Sequence, residues 1–147
     1  NFNEPWDGPN NSQLAALMPN VYRCPSDAAG GPVSTTTAYA AITGPATLFD
    51  ADSPSSIADI KDGTSNTIAV VEAANAGIPW MEPRDLDMNQ MTFTINGSPT
   101  DISSHHPQGA TVVFADGHTS FLLDTIGAQL LRAIMTKAGG EPINGDF

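Results

Sequence analysis

Residues 103–123 read Ser-Ser-His-His-Pro-Gln-Gly-Ala-Thr-Val-Val-Phe-Ala-Asp-Gly-His-Thr-Ser-Phe-Leu-Leu. Two short runs of β-branched and aromatic residues flank Asp116-Gly117. An Asp-Gly pair between apolar runs is a strong local hairpin signal, because a type I′ turn needs positive φ at both central positions. The stretch therefore predicts a hairpin with arms Thr111–Ala115 and Thr119–Leu123, and His106 stands at the entrance to its first arm.

Beyond the hairpin, Asp124 or Thr125 is placed to cap a helix over about Ile126–Lys137. Its residues Ile126, Leu130, Leu131 and Ile134 fall on one face. Arg132 and Lys137 lie toward its C-terminus, where the helix dipole favours cations, and Gly139-Gly140 suits a left-handed cap. Upstream, Thr67–Val71 has the apolar content of a central strand, Thr35–Ile42 reads as a further strand, and Met91–Ile95 alternates like an edge strand. Val21–Cys24 suits a short strand, and Ile57–Ile60 a single helical turn closed by Asp62-Gly63. Asn11 or Ser12 can cap a short helix carrying Leu14, Leu17 and Met18 and ended by Pro19. Segments 25–32, 44–56 and 73–91 have the Gly, Pro, Ser and Asp content of loops. The expected fold is a single α+β domain over residues 1–147: a small antiparallel sheet, a C-terminal helix and long irregular loops.

The chain has 147 residues and a formal net charge of -11, with 5 Lys and Arg against 16 Asp and Glu. Its few cations, Arg23, Lys61, Arg84, Arg132 and Lys137, are scattered. Binding to a phosphate backbone or an anionic membrane surface needs clustered cations, so composition argues against both. Charged residues make up only 14% of the chain, which leaves Ser, Thr, Asn, Gly and Pro to build the surface, as suits an extracytoplasmic protein. Cys24 is the single cysteine, so no disulfide forms within the chain, and its ordinary role is a small apolar residue beside a turn. No apolar run reaches the ~18 residues of a membrane span.

Several ordered motifs point the same way. His106 is followed by nine residues and then Asp116-Gly117; Tyr22-Arg23-Cys24-Pro25-Ser26 lies near the start. Asp62-Gly63-Thr64-Ser65-Asn66-Thr67-Ile68 precedes Glu72, and Trp80, Pro83, Asp85 and Leu86 follow. The stretch from Leu131 to Glu141 closes the series. Together they resemble the prepilin-type processing-associated H-x(9)-D-G family, type IV pilin-like and pseudopilin-like proteins of largely unknown function. The resemblance implies a pilin-like fold in which a long apolar N-terminal helix, upstream of Asn1, packs on one face of the sheet. It implies a structural subunit of a pilus-like or pseudopilus-like assembly, anchored in the inner membrane before assembly and held in the periplasm or at the cell surface. Its partners would be other pilin-like subunits or a second copy, meeting the face that the helix covers. No enzyme activity is implied, and His106, Asp116 and Gly117 carry the signature as structural residues.

The same residues admit other chemistry. His105, His106, Asp116 and His118 are zinc or iron ligand types, and a metal-dependent hydrolase would use the three histidines. However, His106 and Asp116 are about ten residues apart, which at ~3.3 Å per residue keeps them from converging along an extended arm. Ser103 or Ser104 with a nearby His and Asp suggests a hydrolase triad, but no strained nucleophile turn precedes them. The acids comprise 12 Asp and 4 Glu. Short carboxylates in loops suit calcium, and Asp59, Asp62 and Asn66 are the candidate ligands, with Asp50, Asp52, Asp85 and Asp87 as further acids. Turn chemistry explains the same Asp and Asn residues. Trp6 and Trp80, each among prolines and acids, are candidate binding platforms for a solute or glycan, the second functional reading; otherwise Trp80 is a lid over a small core.

Overall fold

A computed structural model describes residues 1–27 and 34–143. The end of the loop expected over 25–32 lies outside these residues. Five strands form one sheet: β1 (Tyr39–Thr43), β2 (Ile68–Glu72), β3 (Leu86–Asp87), β4 (Gly109–Phe114) and β5 (Thr119–Leu123), in the order β3-β1-β2-β4-β5. All pairings are antiparallel except the two-residue β1–β3 edge, which is parallel. One short helix, α1 (Ala128–Ala133), follows the hairpin. The fold is α+β, with a mixed sheet and long loops. No helix among the described residues is long and apolar enough to cross a membrane.

The core lies on one face of the sheet. Strand register puts Ala40, Ile42, Val71, Ala110, Val112, Phe114 and Leu122 on that side, all buried. Leu131, Ile134 and Met135 cover them from the C-terminal segment, with Ile126 and Leu130 partly buried alongside. Each buried side chain of this size contributes ~1.5–3 kcal/mol through area removed from water. The opposite face carries Tyr39, Ala41, Val70 and Val113, all half-buried, and then Phe121 and Leu123, 42% and 54% exposed.

The hairpin forms where the Asp-Gly signal places it, but through a different turn. Gly117 alone of the loop residues takes positive φ, at 90°, and its N–H donates to Phe114 C=O. This is the three-residue connection in which a left-handed glycine completes the turn, not a type I′ pair. The turn is docked: Ala115 N–H donates to Thr67 C=O and Asp116 N–H to Thr64 C=O. The Asp62–Asn66 loop and the hairpin tip are thus one unit.

Three other expectations are corrected. Met91–Ile95 is not a strand, because the carboxylate of Asp101 takes the N–H groups of Thr92 and Phe93 that a ladder would use, and Phe93 has φ 59°. Val21–Cys24 is not a strand either: a 3-10 turn spans Asn20–Tyr22 after Pro19. The C-terminal helix is shorter than Ile126–Lys137, and Gly127 rather than Asp124 or Thr125 precedes it. Its expected last turn gives its carbonyls to other segments: Ile134 C=O accepts from Ile68 N–H, and Lys137 C=O from Lys61 N–H. The N-terminal segment Asn11–Leu17 is a 3-10 helix whose Leu14 and Leu17 are exposed. A short turn at Ile57–Asp59 forms as expected, closed by a capping box between Ser56 and Asp59.

Candidate functional site

At one end of the open sheet face, three segments distant in sequence bring Cys24, Glu72 and His106 together. Glu72 is the last residue of the central strand β2, paired with Tyr39. The chain returning through Ser103 runs parallel beside it: Ser103 N–H donates to Glu72 C=O, and Ala74 N–H to Ser103 C=O. Ser104 then accepts the main-chain N–H of His106 on its Oγ at 3.0 Å, and the imidazole lies toward Glu72. Cys24 arrives from the other side, after the 3-10 turn at Asn20–Tyr22; Ala38 N–H donates to Tyr22 C=O and fixes that turn at the start of β1.

The geometry is tight. Cys24 Sγ lies 3.5 Å from His106 Nε2, and Glu72 Oε1 lies 3.5 Å from the same nitrogen. The three ligand atoms all lie within 4.8 Å of one another. Glu72 is 2% exposed and Cys24 5%. The second carboxylate oxygen, Oε2, accepts Thr111 N–H at 2.6 Å. Phe121 meets the His106 ring edge-on, with centroids 6.4 Å apart. Burial pushes the Cys24 thiol up from its ordinary value, and the Glu72 carboxylate adds to the effect. Burial likewise raises the Tyr39 phenol, with Cys24 and Glu72 as further causes. A thiol so placed is protonated at neutral pH and is not a prepared nucleophile. A nucleophile–base–orienter relay also needs the two ring nitrogens to serve different partners; here the thiol and the carboxylate both face Nε2. Beside Cys24 a cavity of about 330 Å³ is lined by Asn20, Arg23, Asp27, Thr36 and Ala38.

The remaining sequence candidates lie elsewhere. His105 turns away from His106, with its Nε2 3.5 Å from Asp27. Asp116 and His118 pair with each other at the hairpin tip, Nδ1 to Oδ1 at 2.6 Å, and the imidazole stacks on Phe114. The histidines and Asp116 are therefore distributed over three places rather than one. Ser103 Oγ accepts Asn75 N–H, so it belongs to the loop packing. Asp59 bonds Ser56; Asp62 accepts Gly139 and Gly140 N–H on its two oxygens; and Asn66 Nδ2 donates to Asp62 C=O. Trp80 donates its Nε1–H to Ala15 C=O and packs against Tyr22. Trp6 is half-buried among the N-terminal turns.

The sequence places His106 at a strand entrance but does not show that it joins Cys24 and Glu72. A signal was present: each of the three sits in a different motif block. Nothing in the spacing showed that these blocks converge.

Residues 78–129 match a family described as a protein of unknown function (DUF1559). The matched stretch holds His106 and the Asp116-Gly117 turn, whereas Cys24 and Glu72 lie before it. No curated protein and no solved structure matches the chain.

Proposed function

We propose that this domain is the extracytoplasmic head of a pilin-like or pseudopilin-like subunit, with a structural rather than catalytic task. The observation that supports this reading is the open sheet face. Register aligns Tyr39 with Glu72, Ala41 with Val70, Val70 with Val113, and Thr111 with Phe121. A half-buried apolar centre with Phe121 and Leu123 exposed at its margin is the surface an apolar helix would cover. In the proposed subunit that helix belongs to the same polypeptide, anchors it in the inner membrane, and later bundles with the helices of other subunits. The DUF1559 match over the hairpin adds support to a pilin-like role.

The N-terminus of the mature protein, purified from its own cells, tests this. An apolar segment of about 20 residues retained ahead of Asn1, behind a cleaved short basic leader, is the expected result. Ordinary signal-peptide cleavage with no apolar segment retained would overturn it.

A further inference from the structure

We infer that Cys24, Glu72 and His106 form a binding site for one divalent cation of the zinc class. In a tetrahedral zinc site with Zn–S near ~2.3 Å and Zn–N or Zn–O near ~2.0 Å, neighbouring ligand atoms stand about 3.5 Å apart. The two separations at His106 Nε2 are 3.5 Å to Cys24 Sγ and 3.5 Å to Glu72 Oε1. An imidazole nitrogen has one proton or one lone pair and serves one such partner well; two partners converging on it fit a shared cation. The third edge, Cys24 Sγ to a Glu72 oxygen, is within 4.8 Å.

The donor set selects the metal. Thiolate and imidazole suit zinc and its neighbours in the transition series and disfavour calcium or magnesium, which take oxygen. The surroundings are those of a held ligand set. Thr111 N–H occupies Glu72 Oε2 and leaves Oε1 for the cation, and Ser104 Oγ fixes the His106 main chain. Such outer contacts orient ligands and strengthen binding. The His106 side chain is 34% exposed, so solvent reaches the site from that side, and a water molecule or a donor from a bound partner would complete the coordination. On binding, the Cys24 S–H proton leaves to solvent and the thiolate forms the metal bond, with no change of oxidation state.

Titration of chelator-treated protein with Zn²⁺ at neutral pH, followed by calorimetry, tests the site. One equivalent should bind, with proton release, and the thermal midpoint should rise. Cys24→Ser and His106→Gln should each weaken binding by at least about tenfold, while His118→Gln, at the hairpin tip, should leave it unchanged. Co²⁺ should give a thiolate charge-transfer band that Cys24→Ser abolishes. His106→Gln alters a half-exposed side chain, so it reports even if Cys24→Ser disturbs the fold. Absence of binding to wild-type protein with a native circular dichroism spectrum overturns the inference. Binding that survives both ligand substitutions, and so belongs to surface groups, overturns it equally.

Discussion

The main-chain N–H of Thr111 donates to Oε2 of Glu72 at 2.6 Å, so a side chain extends the β2–β4 pairing beyond its last backbone partners, Val71 and Val112. Glu72→Ala would leave that N–H without its acceptor in a place where the carboxylate is 2% exposed. A lost acceptor for a buried donor costs ~1–3 kcal/mol. Glu72→Gln keeps an acceptor and should cost less. Denaturant unfolding of both variants in the absence of metal checks the order.

Asp101 is the strongest organiser of the loops. It is 1% exposed and accepts Thr92 N–H, Phe93 N–H, Thr92 Oγ1–H and Ser98 Oγ–H. Asp101→Ala removes four hydrogen bonds at once and should destabilise the domain by about 3 kcal/mol or more. Hydrogen exchange of the Thr92 and Phe93 amides should accelerate in the same variant.

Gly109 has no room for a methyl group. A Cβ there would collide with the Leu122 C=O and come 2.8 Å from the Phe121 ring. Gly109→Ala should cost ~1–3 kcal/mol or more through forced backbone shifts. The Phe121 ring would also move off the sheet, which a near-ultraviolet or aromatic NMR signal would register.

The Asp116 carboxyl is held below its ordinary value, first by the His118 N–H and then by the His118 ring. Its folded value lies below its unfolded one, so the stabilisation is present above about the unfolded value of 3.8 and fades as pH falls through the folded one. Asp116→Asn retains an acceptor for the N–H but loses the charge. The wild type should therefore be the more stable at neutral pH, with the difference vanishing in acid; unfolding midpoints across a pH series measure it.

These residues also show what could be read in the chain. The hairpin, the central strand through Val71 and the apolar face of Leu131 and Ile134 announce themselves, because periodicity and turn chemistry are local. Met91–Ile95 misleads for a physical reason: its alternation is real, but Asp101, several residues away, takes the N–H groups that a strand needs. The C-terminal helix is overestimated in the same way, since Ile134 and Lys137 give their carbonyls to Ile68 and Lys61. The cluster of Cys24, Glu72 and His106 is the extreme case. Cys24 and His106 are 82 positions apart; the parallel return of the chain through Ser103 carries His106 to Glu72, and the Tyr22–Ala38 bond carries Cys24 to the same place.

The two edges of the sheet are unlike. β3 is only two residues long, and just before it Asp85 Oδ1 accepts the N–H of Ala41, closing off that side with a carboxylate. β5, at the other end of the order, is five residues long with Thr119, Phe121 and Leu123 exposed. Short charged edges resist pairing with another strand, and longer apolar ones invite it. The sheet therefore has a polarity: β5 is the edge that favours an added strand, and β3 is the edge that turns one away.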